Sequence, residues 1–402
     1  MSKPPSTLFA IALAAITLVG PLSVHLFLPS VPQVKAAFGI SDALAQFTFS
    51  VTLLTMAFTT LVYGALSDRY GRRPVLLTGL TLFLVGIALA ALAPTIEFLV
   101  LGRLIQAVGA GCGIALARAI ARDAYGPERL VQAIAYLTMA YTLGPMIAPP
   151  LGGFLADTFS WRAVFGFAFA AGILILVAAY VTLHETHGQD KRASQGSGIL
   201  RGFGQLLKRP LFMAYVLQSG LSSGAFFGLA SGSAFLMMDY LGRPATEYGL
   251  YFLLFATGYC FGNWISSRLS GRVSIDHMVL AGSIILVSAV AVLSGFILAG
   301  IVTPLTIFVP GLFVSMSQGI AMPNAQAGAI RTVPELAGTA AGIGVFSQLF
   351  CGGVFSQAYG FLADGTPGPV LLIVGTGALL CSIFGVAAFA LNRKTRARAL
   401  GG

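Results

Sequence analysis

The 402-residue chain is 57% hydrophobic and only 9% charged, with a formal net charge of +10. A soluble protein of this length carries roughly a quarter of charged residues, so the composition excludes one and indicates an integral membrane protein. The positive balance does not point to nucleic acid, because in so apolar a chain the basic residues report membrane topology. Cys112, Cys260, Cys351 and Cys381 all fall in apolar segments without ligand spacing, so neither a disulfide framework nor a metal site is expected.

The first apolar run begins after Lys3, exceeds the usual signal-peptide length and lacks a small-residue cleavage site, which predicts a retained helix over 7–28. Further stretches long enough to cross about 30 Å of hydrocarbon predict helices over 44–66, 75–94, 97–118, 131–155 and 161–183. Six more follow over 211–238, 246–267, 276–298, 303–326, 336–361 and 369–391, giving an all-α membrane protein of twelve spans.

Between the second and third spans lies Gly64-Ala65-Leu66-Ser67-Asp68-Arg69-Tyr70-Gly71-Arg72-Arg73-Pro74, a charged hairpin between apolar runs. Gly71 permits a tight reversal, Pro74 suits the first turn of a new helix, and the arginines suit anionic headgroups. This hairpin resembles the signature loop of the major facilitator superfamily. The resemblance implies two six-helix bundles related as parallel repeats, a small-molecule substrate moved by alternating access, and a gating role for Asp68 and its arginines.

Arg103 in the fourth span is the residue of certain charge deep inside a predicted helix. Such a charge costs roughly 2.5–3.5 kcal/mol on insertion scales, so it is expected to face a wet cavity or a partner. Leu99-x-x-x-Arg103-x-x-Gln106 resembles the superfamily's fourth-helix motif, which implies proton transfer; satisfaction by helix-end carbonyls is the structural alternative. Gly109, Gly111 and Gly113 in the same span follow no strand, so close helix contact explains them better than a phosphate loop. At the inner end Arg118, Arg122 and Asp123 are placed to join Asp68, Arg69, Arg72 and Arg73 in a charged latch, with lipid anchoring as the alternative.

The fifth span holds Gly144-Pro145-Met146-Ile147-Ala148-Pro149-Pro150-Leu151-Gly152-Gly153. Prolines remove backbone donors and glycines allow close approach, so a kinked, tightly packed helix is expected at Gly144, Pro145, Pro149 and Pro150. The segment resembles the superfamily's antiporter motif, with Ala148-Pro149 interrupting the pattern.

The longest polar break, 184–209, divides the chain into bundles 1–183 and 210–402 and reads as a linker. Two echoes span it: Ser67-Asp68-Arg69 with Arg73 matches Ser266-Ser267-Arg268 with Arg272, and Phe154-Leu155-Ala156-Asp157 recurs as Phe361-Leu362-Ala363-Asp364. Both lie at equivalent places in their halves, which favours parallel repeats. With residue 1 placed inside, 19 basic residues fall on the inner side, Lys35, Arg162 and Arg243 outside, and Arg103 within the membrane. Both termini are therefore expected in the cytoplasm of a bacterial inner-membrane protein.

Pro21-Leu22-Ser23-Val24-His25-Leu26-Phe27-Leu28-Pro29 in the first span resembles the Bcr/CflA drug-exporter family. That family usually carries an acid where His25 stands, which implies a proton and substrate site there. Histidine exchanges neutral and positive forms instead, and a hydrogen bond within the bundle is its structural alternative. No acid lies mid-span: Glu97, Asp239 and Glu247 are near outer ends and Asp276 near an inner one. The expected coupling is competition between protonation of His25 and binding of an uncharged or zwitterionic compound beside Arg103.

His25, Phe27, Arg103, Gln106, Tyr141, Gln218, Ser222 and Gln318 are the candidate cavity residues. Few donors amid Phe, Met and Tyr suit an amphipathic drug better than a sugar. The resemblance implies drug export driven by the proton motive force, by a monomer among membrane lipids, without cofactor or nucleic acid. A metabolite or sugar permease of the same fold is the alternative. Short loops argue against a membrane sensor, and the lack of paired carboxylates or a Cys–His arrangement at one depth argues against an enzyme.

Overall fold

A computed structural model describes residues 6–125, 127–186 and 204–400. Most of the expected linker, Lys3 and the side chains of the C-terminal basic residues beyond Arg393 lie outside the described part.

The first span is built from α1 (Thr7–Thr17), α2 (Val19–Val24), a 3-10 turn at Leu28–Ser30 and α3 (Val31–Phe38). It is followed by α4 (Asp42–Tyr70), α5 (Arg72–Ala91), α6 (Ile96–Ala110) with α7 (Cys112–Ala124), α8 (Pro127–Thr158) and α9 (Trp161–Thr182). The later helices are α10 (Pro210–Phe235), α11 (Ala245–Leu269), α12 (Ile275–Leu298), α13 (Pro304–Arg331), α14 (Ala337–Leu362) and α15 (Gly368–Leu400). These helices make twelve long segments among the described residues, and ten of the segments hold an 18-residue window apolar enough to cross a membrane. The other two, α8 and α11, are long enough, but prolines and tyrosines dilute the one and tyrosines and glycines the other.

Breaks in the helical assignment fall in the first and fourth spans. α8 runs unbroken through Pro145, Pro149 and Pro150, whereas the first span is interrupted after Val24 and the fourth at Gly111. The 3-10 turn reflects Pro29, which lacks a donor, and Pro32 then suits the start of α3.

The chain forms two compact units, Met1–Gly196 with Pro244–Leu250, and Ser197–Arg243 with Tyr251–Gly402. In the first, α5 packs on α6 and α9, and α4 on α6. A Cβ on Gly109 of α6 would stand 2.2 Å from the Phe83 nitrogen of α5, so this glycine serves close helix contact. Gly144 and Gly152 bring α8 equally close to the first span, since a Cβ there would meet Pro21 Cβ at 2.2 Å and the Leu26 carbonyl at 2.0 Å. In the second unit, α10 packs on α14, α15 and α13, and α12 on α13 and α15. A buried hydrophobic cluster in this unit joins Leu206, Phe212, Tyr215, Val279, Val333 and Ile343.

Candidate functional site

The interruption of the first span exposes main-chain carbonyls that an unbroken helix would use internally. Arg103 takes up one of them, that of Ser23. Its Nη2 donates to the Ser23 carbonyl at 3.0 Å, its Nε to the Thr48 carbonyl of α4 at 3.0 Å and its Nη1 to Gln106 Oε1 at 2.7 Å. The guanidinium also lies 4.3 Å from the Phe27 ring centroid and 5.8 Å from that of Phe165. Residues 23 and 27 flank His25, so one arginine grips both sides of the turn that carries the histidine.

Of the two environments expected for Arg103, a wet cavity or a partner, the side chain has the partner. The side chain is 0% exposed; its donors are met by carbonyls and an amide oxygen, and its face by aromatic rings. A fork of fixed donors can be satisfied by main-chain acceptors alone, which the sequence position of the charge does not reveal.

The cavity assignment changes for the same reason. Phe27, Gln106, Gln218, Ser222 and Gln318 are buried in helix packing. Gln106 is spent on Arg103, Gln318 donates to Ser223 Oγ at 3.0 Å, and Gln218 donates to Cys381 Sγ at 3.5 Å. Tyr141 alone of the set stands exposed, at 36%. His25 is buried at the end of α2, its backbone N–H donating to the Pro21 carbonyl at 2.8 Å. Ser23 Oγ and Ser30 Oγ, on either side of it, are buried without a hydrogen-bond partner among the described residues.

The first unit also contains a pocket of about 240 Å³ between α1, α7 and α8, lined by Leu13, Tyr125, Arg129, Gln132, Tyr136 and Leu137. The sequence does not single these residues out.

At the hairpin, α4 ends at Tyr70, Gly71 takes φ of 99°, and α5 begins at Arg72. A side chain at Gly71 would strain this one-residue elbow. Arg72 is buried and binds Asp68 at 2.6 Å, Ser67 Oγ at 2.6 Å and Asp123 at 2.9 Å. Arg69 lies over Tyr70 and Arg73 over Tyr180, while Arg118 and Arg122 stand exposed on α7. Glu185 completes the cluster, accepting from the backbone N–H of Arg72 at 3.0 Å and of Arg73 at 3.3 Å. This carboxylate caps α5 at the positive end of its dipole, which starts the helix three residues earlier than apolarity alone predicts.

Asp157, known in sequence only as one member of an echo, accepts four hydrogen bonds: from Gln33 Nε2 at 3.0 Å, Ala245 N at 3.2 Å, Thr246 N at 2.6 Å and Thr246 Oγ1 at 2.7 Å. It thereby fastens the first turn of α11 within the first unit. Among the described residues no group of three His, Cys, Asp or Glu side chains comes together to hold a metal ion.

Residues 13–356 match the family model of the Major Facilitator Superfamily. The chain belongs to this superfamily. It is a multi-pass membrane protein and a secondary transporter of small molecules, not an enzyme. Among curated relatives it is 25% identical over 401 residues to a bicyclomycin resistance protein homolog of Haemophilus influenzae, covering 97% of each chain. It is 27% identical over 393 residues to multidrug resistance protein D of Escherichia coli, covering 95% of this chain and 96% of that protein. An uncharacterized MFS-type transporter of Bacillus subtilis is 28% identical over 378 residues, covering 93% of each. The fold matches that of a bacterial homolog of the lysosomal transporter Spinster, with a TM-score of 0.75, 17% identity and 98% coverage of both chains. It also matches the xylose transporter of Escherichia coli, with a TM-score of 0.71, 13% identity, and coverage of 94% of this chain and 96% of that one.

Proposed function

We propose that this transporter exports small amphipathic drugs across the bacterial inner membrane in exchange for protons, with both termini in the cytoplasm. It acts as a monomer of two bundles, 1–183 and 210–402, joined by the linker 184–209, and draws its energy from the proton motive force. The observation that carries the reading is the broken first span, where buried His25 lies in sequence between Ser23 and Ser30, whose hydroxyls have no partner among the described residues, and between two contacts of Arg103. Interrupted membrane helices are where transporters place cargo and coupling ions. His25 is the titratable group of that turn and the proton site of this proposal. Arg103 has a positioning role: it holds the turn open against helical closure and sets the position of the imidazole.

The relatives named for multidrug and bicyclomycin resistance support drugs as the cargo class. The pocket of the first unit sets Leu13 and Leu137 beside Tyr125, Tyr136, Gln132 and Arg129, a mixture of apolar wall and donors that suits an amphipathic ligand. The Asp68, Arg72 and Asp123 cluster, with Glu185 beside it, serves as a gating latch at the cytoplasmic end.

The test is drug-dependent proton movement in everted vesicles. Saturable collapse of an imposed pH gradient by a phenicol or bicyclomycin-type compound is expected, and His25→Gln loses it while still binding the compound. Full gradient-driven transport by His25→Gln overturns the proton role of His25. Uptake of a sugar together with protons overturns export. Asp68→Asn is expected to alter the balance of inward and outward accessibility, measured by cysteine labelling, and unchanged labelling with unchanged transport removes the latch.

A further inference from the structure

The second unit holds a larger pocket, of about 870 Å³, that the transport reading does not use. It opens where α10 and α12 begin, α13 ends and the loop after α11 turns back. Three arginines line it: Arg209 before α10, Arg272 in the loop and Arg331 in the last turn of α13. Arg272 and Arg331 are exposed and make no ion pair among the described residues. Arg209 contacts Glu335 at 3.6 Å, but both side chains are more than half exposed, so this carboxylate neutralises little.

The backbone adds to the positive character. Arg209 at the start of α10 has no acceptor with which to cap the helix, and Ser274 at the start of α12 gives no cap because its Oγ is bonded instead to His277 Nδ1 at 2.6 Å. Two helix N-termini therefore turn uncapped donors toward the same pocket as three guanidinium groups. The nearby acid, Asp276, is buried and engaged, one oxygen accepting from the Tyr215 hydroxyl and the other from Asn392 Nδ2 at 2.5 Å. Leu211, Phe212 and Leu391 supply an apolar wall beside the basic one.

We infer that this pocket binds a phosphate oxyanion, and that the group it takes is the headgroup of an anionic phospholipid. Arginine forks match phosphate oxygens bidentately, and uncapped helix N-termini suit the same charge. The apolar wall distinguishes a lipid from free phosphate, since it would contact the glycerol and first acyl carbons. Basic pockets between membrane helices are a known class of lipid-headgroup site.

The test uses the purified full chain in neutral detergent, with thermal unfolding and bound-lipid quantification as readouts. Phosphatidylglycerol is expected to raise the unfolding temperature, whereas phosphatidylcholine and millimolar inorganic phosphate do not. Arg272→Gln with Arg331→Gln is expected to weaken the phosphatidylglycerol response about tenfold or more in concentration. Arg268→Gln, whose guanidinium lies 5.4 Å from the Trp264 ring, leaves it unchanged. An undiminished response in the double variant overturns the site, and an equal response to inorganic phosphate overturns the lipid. Neither readout needs transport, so the result is independent of the export reading.

Discussion

The two charged hairpins begin from related sequence and end as opposite electrostatic objects. The first reverses on one residue, Gly71, so that Arg72 is already the first residue of α5. The second spends residues 270–274 between α11 and α12, with Gly271 at φ of 81°, and leaves Arg272 in the loop. In the first, three carboxylates converge on the elbow: Asp68 and Asp123 on the Arg72 side chain, Glu185 on the backbone. In the second, Ser266 instead accepts from Asn324 Nδ2 at 2.8 Å, and the arginines face a pocket. The related turns place their positive-φ glycines one register apart, Gly71 aligning with Ser270, and remote residues decide whether the charge is quenched or offered to a ligand.

The contrast breaks most sharply at the arginines. Arg72→Ala leaves Asp68 and Asp123 without their cation in a half-buried cluster and is expected to destabilise the protein by about 3 kcal/mol. Arg272→Ala in lipid-free detergent is expected to stay within about 0.5 kcal/mol, as for an exposed side chain. Thermal unfolding of both variants side by side checks the pair, and equal losses would remove the distinction. A smaller effect is expected from Glu185→Ala, which uncaps α5 at a cost of about 1 kcal/mol and speeds amide exchange at Arg72 and Arg73. Exchange at the start of α12, already without a side-chain cap, provides the internal reference.

The echoed aspartates sharpen the same lesson on a finer scale. Asp157 holds four donors from distant segments, whereas Asp364 accepts only from the Thr366 N–H at 2.9 Å and hydroxyl at 2.7 Å within its own loop. Asp157→Ala is expected to cost about 1 kcal/mol and to free the first turn of α11, read as faster exchange at Thr246. Asp364→Ala is expected to change only its loop. The hydrogen bonds from Thr366 lower the Asp364 carboxyl below its ordinary value. Its small contribution is therefore complete above the unfolded carboxylate range and fades as pH falls through the lowered value. A loop-local chemical shift at Thr366 that titrates above the ordinary aspartate range would contradict this.

Much of the fold was legible because hydrophobicity is a local, additive property: twelve runs of sufficient length, each ended by glycine, proline or charge, delimit twelve segments whatever their neighbours. The Gly71 elbow was legible because no other residue adopts its backbone without strain. The partners of Arg103, Arg72 and Asp157 were not, since each lies tens of residues away or depends on which way a helix is rotated. A polar side chain in a span reads the same whether it faces water or another helix, which is why Gln106, Gln218 and Gln318 suggested a cavity and instead bond inside the packing. Sequence by itself determined that the chain spans a membrane and where its turns fall, because the cost of burying charge acts residue by residue. Tertiary structure alone decided which charges are satisfied and which remain available, because a hydrogen bond requires two groups to meet and helix packing sets that encounter.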